Sequence, residues 1–230
     1  MNNDLDIFIC THKDFDHYPT DKTYKICCEE NDLKNEYPID VVYEKVNKYT
    51  PMRYSLSNIS RLYYIWKNHT MKENIGFVQY DRHFDYDIIN EDLQLNDNTC
   101  IVPQAWNLNV VIQYNNAHKI KDYLLVRELI KYMYGISEND IRSTENKLYA
   151  HNIFIMSSMA FKRYCDFIFN VLDNFIFINK FETMYDINFK YDESQNRVLG
   201  FLAERIGNIF IQLNFKNIIE RLIKNNYNIH

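Results

Sequence analysis

Apolar positions along this chain change rhythm several times, and the order of the changes predicts its elements. Leu5–Cys10 is an apolar run interrupted only by Asp6, as in a buried strand, and Thr23–Cys28 and Ile39–Tyr43 are shorter runs of the same kind. The period then lengthens. Leu56, Ile59, Leu62, Tyr63 and Trp66 fall three and four apart, which predicts an amphipathic helix over Ser55–Asn68, with Ser55 or Ser57 as its cap and Lys67 in its last turn. Ile75–Tyr80 lacks polar alternation and predicts a strand buried on both faces, and Thr99–Val102 predicts another just before Pro103. Between them Asp81–Asn98 is acidic and irregular. Helices are expected over Ala117–Tyr134, over Ser137–Leu148 with Ser137 as cap, over Met159–Phe175 and over Arg197–Leu213. Asn152–Met156 has strand composition, and Phe215–Asn225 has the pattern of an amphipathic tail. Early strands, a mixed middle and late helices predict one α/β domain over residues 1–230 with a helical C-terminal part.

Composition narrows the function. A hydrophobic content of 47% with 25% charged residues fits a soluble globular domain, and four Gly and four Pro leave no room for a long flexible linker. A net charge of −5 argues against broad nucleic-acid binding, which needs a basic footprint. Five cysteines without a C-x-x-C pair fit reduced thiols rather than a disulfide framework or a zinc site. The N-terminus lacks the basic and apolar regions of a signal peptide, and no apolar run approaches the roughly 18 residues of a membrane span. The expected location is cytoplasmic, with room for peripheral attachment at an inner membrane.

Chemistry concentrates where strands end. In an open α/β sheet ligands lie at the carboxyl ends of the strands. Thr11-His12-Lys13 follows the first strand, where His12 can bond a base or ribose and Lys13 can reach phosphate. Tyr80-Asp81-Arg82-His83 follows the strand over Ile75–Tyr80. There Asp81 and His83 can hold a divalent metal and Arg82 can meet phosphate, or the segment is simply a charged surface turn. Asp85-Tyr86-Asp87 is a second acidic pair, in a loop so acidic that chance explains it. Trp106 can stack on a sugar or sit half-buried in a core. On the last long helix Arg197, Gly200 and Glu204 share one face. Glu204 there is either an arginine's salt-bridge partner or a general base. Neither G-x-G-x-x-G nor a Walker loop occurs, which removes dinucleotide dehydrogenases and P-loop kinases.

Five blocks carry a resemblance: Ile7–Lys13, Tyr63–Asn68, Gly76–Phe84, Asn152–Met156 and Arg197–Arg205. In this order they resemble a bacterial family of unknown-function domains from capsule and lipopolysaccharide loci, regarded as glycosyltransferases. Its signatures are similar to T-H-K, Y-W-I-W-K-N, G-L-x-H-Y-R-R-Y-F, N-M-F-I-M and R-x-x-G-F-L-x-E-R. The resemblance implies a GT-A-like (Rossmann-like) nucleotide-sugar-binding domain. It implies transfer of a sugar from a nucleoside diphosphate, such as UDP-galactofuranose or another UDP-sugar, to a hydroxyl of a glycan or lipid-linked glycan.

On that basis Thr11, His12, Lys13, Tyr80, Asp81 and Arg82 are expected at the donor. Manganese or magnesium is expected on Asp81 and His83, Trp106 and Arg197 at the acceptor, and Arg82 and Glu204 in catalysis. The chain departs from the family where Gln79 and Asp81 replace a His and an Arg, and where Asn58 replaces an acid. A non-catalytic sugar-nucleotide or glycan-binding module is the alternative. A nucleotidyltransferase fits less well, because the Gly-rich basic loop after the first strand is missing.

Overall fold

The computed structural model describes residues 4–14, 23–28, 40–42, 47–84 and 95–225. Three strands come first: β1 (Leu5–Cys10), β2 (Tyr24–Cys28) and β3 (Val41–Val42). A 3-10 turn at Thr50–Met52 leads into helices α1 (Arg53–Leu56) and α2 (Ile59–Asn68). Strands β4 (Asn74–Gln79), β5 (Arg82–Phe84), β6 (Thr99–Pro103) and β7 (Trp106–Asn107) follow. Helices α3 (Val110–Ala117), α4 (Ile120–Tyr134) and α5 (Glu138–Ser143) precede β8 (Lys147–Leu148) and β9 (Phe154–Ser157). The chain continues through α6 (Ser158–Asn179), α7 (Met184–Lys190), α8 (Val198–Asn214), β10 (Asn217–Arg221) and β11 (Ile223–Asn225).

The main sheet runs β10-β6-β9-β4-β1-β2-β3, with β5 and β11 paired beside β4. Parallel pairing of β1 with β4 spans six registered residues, from Leu5 opposite Asn74 to Cys10 opposite Gln79. Strand β9 is antiparallel to both β4 and β6. Alternation along β1 divides two cores. Phe8 and Cys10 join the cluster built with α2, α4, α6 and α8, whereas Leu5, Ile7 and Ile9 pack on the other face with Val78, Ile101 and Ile155. The helical side is strongly aromatic, with Trp66 stacked on Phe169 and Phe77 on Phe154. This mixed α/β sheet bears out the expected fold class.

Several expectations are corrected, among them the helix over Ser137–Leu148, which ends at Ser143 before β8. The helix expected over Ser55–Asn68 breaks at Ser57, whose φ of 54° and ψ of −131° end α1 before α2 begins. Neither serine caps α2, because Asn58 stands at the cap position and makes no side-chain bond there. Ser55 is instead buried and its hydroxyl accepts the Leu199 N–H at 3.2 Å, so it serves the first turn of α8. The helix expected from Ala117 is split at His118 and Lys119 between α3 and α4. Phe215–Asn225 is largely strand: β10 adds to β6 over five registered residues and β11 adds to β5. Its Ile218-Ile219 pair suits an edge strand, and the unpaired backbone of β6 supplies the ladder that local pattern could not reveal.

Helix α8 lies tightly against α1 because residue 200 is glycine. A Cβ there would stand 3.2 Å from the Ser55 carbonyl oxygen and 3.3 Å from that of Leu56, and backbone cannot swing aside. Gly200→Ala is therefore expected to lower unfolding stability by about 1–3 kcal/mol, as overpacking does. Urea denaturation checks this, and an unchanged midpoint would mean that α8 can slide.

Candidate functional site

Strands β1, β2, β4, β6 and β10 point the same way, so their carboxyl ends share one edge, and antiparallel β9 starts there. That edge therefore gathers residues 11–13, 80–82, 103–106 and 151–153. Two cavities open along it.

The first, of about 440 Å³, is lined by His12, Arg53, Ser57, Ser60, Arg61 and Arg197, and Tyr54 completes it. Among the described residues no carboxylate is part of its lining. The strained backbone at Ser57 separates the helices that carry Arg53 and Arg61, and its hydroxyl accepts from an Arg197 guanidinium nitrogen at 2.8 Å. Three guanidinium groups and an imidazole around one hollow suit a phosphorylated ligand, which guanidinium binds with paired, charge-assisted hydrogen bonds.

The second cavity, of about 410 Å³, has Arg82, Gln104, Trp106, His151 and Leu222 in its walls. Its loop over 103–106 is anchored from β10: one Glu220 oxygen accepts the Ala105 N–H at 3.2 Å and the other the Tyr149 hydroxyl at 3.1 Å. Trp106 is 47% exposed and meets the His151 ring edge-on at 5.3 Å. His151 and Asn152 both have left-handed backbone, with φ of 75° and 53°. Such strain persists only where the surroundings hold it. Here the His151 N–H donates to Glu204 and the His151 carbonyl accepts the Gln79 side-chain amide at 2.6 Å. Burial pulls the His151 pKa below the ordinary 6.5, with Arg82 and Arg205 acting in the same direction and Glu204 and Asp81 opposing it. The imidazole is thus neutral at pH 7.

The turn between β4 and β5 links the two cavities. Tyr80 packs edge-on against His12 of the first cavity at 5.2 Å, under the Lys13 ammonium at 5.5 Å from its ring centre. Arg82 lines the second and donates to Gln79 at 3.3 Å.

The sequence-predicted residues are therefore distributed unevenly. His12, Lys13, Tyr80 and Arg82 come together on the edge. Thr11 is buried, and its hydroxyl shapes the turn by donating to the Lys13 carbonyl at 2.5 Å. Trp106 and Arg197, expected together at the acceptor, line different cavities. Glu204 uses one carboxylate oxygen on the His151 N–H and the other on the Arg205 guanidinium, which is 3% exposed and also bonds Gln113 at 2.7 Å.

Asp81 keeps one buried oxygen without a hydrogen-bond partner, and its other oxygen lies 3.8 Å from Arg82. His83 is 3% exposed, and its Nδ1 donates to the Phe84 carbonyl at 2.8 Å. Among the described residues no three metal-ligating side chains come together. Asp85-Tyr86-Asp87 lies outside the described residues.

Arg53, Arg61 and His151 had not been singled out as functional from the sequence. The arginines lie on helices with no motif around them. His151 precedes its strand, and only the antiparallel course of β9 brings it to the carboxyl edge.

Comparison with known proteins fits this frame. The family model described as Domain of unknown function (DUF4422) matches residues 6–216. The chain belongs to the DUF4422 family. No curated protein matches this DUF4422 chain. Among solved structures, the apo WbbM bifunctional glycosyltransferase matches 97% of the DUF4422 chain with a TM-score of 0.76 and 18% identity. The DUF4422 chain spans 45% of the length of that structure. At this identity the likeness establishes the fold, which is GT-A-like.

Two outcomes are expected here. Glu204→Ala removes the partner of a buried guanidinium and of the strained His151 amide, and is expected to destabilise the chain by about 3–5 kcal/mol, as broken buried pairs do. Thermal and urea unfolding would measure it, and a loss under about 1 kcal/mol would mean that Arg205 is already satisfied by its other partners. Protonating His151 should quench Trp106, so wild-type tryptophan emission should fall with a midpoint below pH 6.5, and His151→Gln should abolish that step. A midpoint above 6.5 would show that Glu204 and Asp81 outweigh burial.

Proposed function

We propose that this chain is a glycosyltransferase that moves a sugar from a nucleoside-diphosphate sugar to a hydroxyl of a surface glycan precursor. The observation that carries the proposal is the cavity beside the end of β1 that is lined by three arginines, set next to a second cavity walled by an exposed tryptophan. The GT-A-like fold shared with a glycosyltransferase structure supports it. UDP is the nucleotide in this reading, and galactofuranose is one donor sugar among several. The acceptor is a capsular or lipopolysaccharide glycan, free or lipid-linked, which places the protein in the cytoplasm at the inner face of the membrane. Among the described residues no helix is long and apolar enough to cross a membrane, so contact with a lipid-linked acceptor would be peripheral.

In this mechanism the donor's diphosphate lies in the first cavity and its sugar projects across the Tyr80–Arg82 turn toward the second. Breaking the bond between anomeric carbon and phosphate oxygen leaves negative charge on the diphosphate. Arg53, Arg61 and Arg197 would hold that charge from within the cavity, with Lys13 over the Tyr80 ring beside His12 and Arg82 in the wall of the second cavity. Trp106 offers the acceptor sugar an apolar face. A manganese or magnesium ion would be held from Asp81, one of whose oxygens has no hydrogen-bond partner, and would add to the charge that the arginines supply to the diphosphate.

Calorimetry with UDP, UDP-galactose, UDP-glucose and GDP tests the reading. UDP and a UDP-sugar should bind. Arg197→Ala and Arg61→Ala should each weaken UDP roughly tenfold to hundredfold, the worth of a charge-assisted hydrogen bond at about 1.5–3 kcal/mol. EDTA should leave UDP affinity within roughly twofold if arginines are the phosphate ligands. Full UDP affinity in both variants would move the donor elsewhere, and binding without any UDP released from UDP-sugars would make the chain a binding module.

A further inference from the structure

His151 is built as a reacting group rather than as a wall residue. Its main chain is clamped on both sides, by Glu204 from α8 and by Gln79 from β4, in a conformation that β-carbon-bearing residues rarely adopt. Its ring rests against Trp106 at the side of the second cavity and makes no hydrogen bond to any described residue. A half-buried imidazole on a clamped main chain, lining the cavity with its ring nitrogens unclaimed by described residues, can hydrogen-bond a hydroxyl that enters there.

We infer that His151 accepts the proton of the acceptor hydroxyl, and that sugar transfer is a single in-line displacement inverting the anomeric centre. This rests on the glycosyltransferase reading above and adds the residue and the stereochemical class. In the step, the acceptor oxygen forms a bond to the anomeric carbon while its proton passes to a ring nitrogen of His151. The bond from anomeric carbon to diphosphate oxygen breaks, and its electron pair leaves with the diphosphate, which the arginines hold. The imidazolium then returns its proton to water.

Among the described residues, the neighbouring carboxylates are disfavoured as bases by geometry. Both Glu204 oxygens are engaged, so Glu204 is a positioning residue for His151. Glu220 is held by Ala105 and Tyr149. The orphaned oxygen of Asp81 is closed off from solvent, and Asp81 does not line the second cavity. The charged groups that face His151 are Glu204 and Arg205 from α8 and Asp81 and Arg82 from the β4–β5 turn. With burial they leave the ring in its basic form at neutral pH, ready to take a proton.

The experiment compares wild type, His151→Gln and His151→Ala, using UDP-galactose, UDP-galactofuranose and UDP-glucose with a panel of alkyl glycosides. UDP release without acceptor reads transfer to water. Both variants should keep UDP affinity within roughly twofold and lose kcat by about 10²–10⁴, the range of general-base catalysis. The acid limb of the wild-type pH profile should lie below pH 6.5 and vanish in the variants, and added imidazole should partly restore His151→Ala. The product's anomeric configuration should be opposite to the donor's. A His151→Gln enzyme within about threefold of wild-type kcat, or a retained configuration, would overturn the inference and leave the glycosyltransferase reading standing. A wild type that binds no UDP-sugar, or binds one without turnover, would overturn both.

Discussion

The hydrogen bond from the His151 backbone N–H to Glu204 is the constraint on which this edge of the molecule depends. It ties the entry to a central strand, β9, to the middle of α8. Arg197 at the start of the same helix reaches the first cavity, while Glu204 lies beneath the wall of the second. Seven residues of helix rise about 10.5 Å. Helix α8 thus acts as a ruler that sets the distance between the arginines of the first cavity and the Trp106–His151 pair. The ruler is held at one end by Gly200, packed on the carbonyls of α1, and by Ser55, which accepts the Leu199 N–H.

Sheet order explains why the two cavities differ. The first is flanked by parallel strand β1 and by helices entered through the kink at Ser57, and such helices can bring arginines from three segments around one hollow. The second lies where antiparallel β9 intervenes between β4 and β6. Carboxyl ends of β4 and β6 there stand beside the start of β9. A residue that precedes a strand can then face residues that follow strands, and His151 meets Trp106 and Arg82 for that reason. An all-parallel sheet would have placed His151 at the opposite edge.

Much of this architecture was legible in the chain, and the exceptions have physical causes. Strands β1, β4 and β6 are short, largely apolar runs, as strands buried on both faces are. Helices α6 and α8 carry wide apolar faces at helical period. The failures all depended on partners distant in sequence. Strands β10 and β11 exist because β6 and β5 present open ladders, and the kinked Ser57 is bonded by Arg197, 140 residues away in sequence. At the site, His12, Lys13, Tyr80 and Arg82 follow strands and were visible, whereas Arg53, Arg61 and His151 depend on tertiary placement. Glu204 was legible as a residue with two possible duties. The structure shows both its oxygens committed to protein partners, one of which is the salt bridge expected of it.

Charge makes the same point at larger scale. The chain is net acidic by five charges, yet the cavity beside β1 gathers three arginines and a histidine, with no acid among the described residues of its lining. Exposed charges farther away than about 8 Å are largely screened at physiological salt, so a diphosphate entering this hollow responds to the local guanidinium groups and not to the chain's total. Net charge argues soundly against an extended basic surface for nucleic acid. It carries no information about a phosphate site of a few hundred cubic ångströms, because such a site needs only a handful of cations converging from separate helices. That convergence comes from the kink at Ser57 and the close approach of α8 to α1, so the electrostatics of this edge follow from its packing.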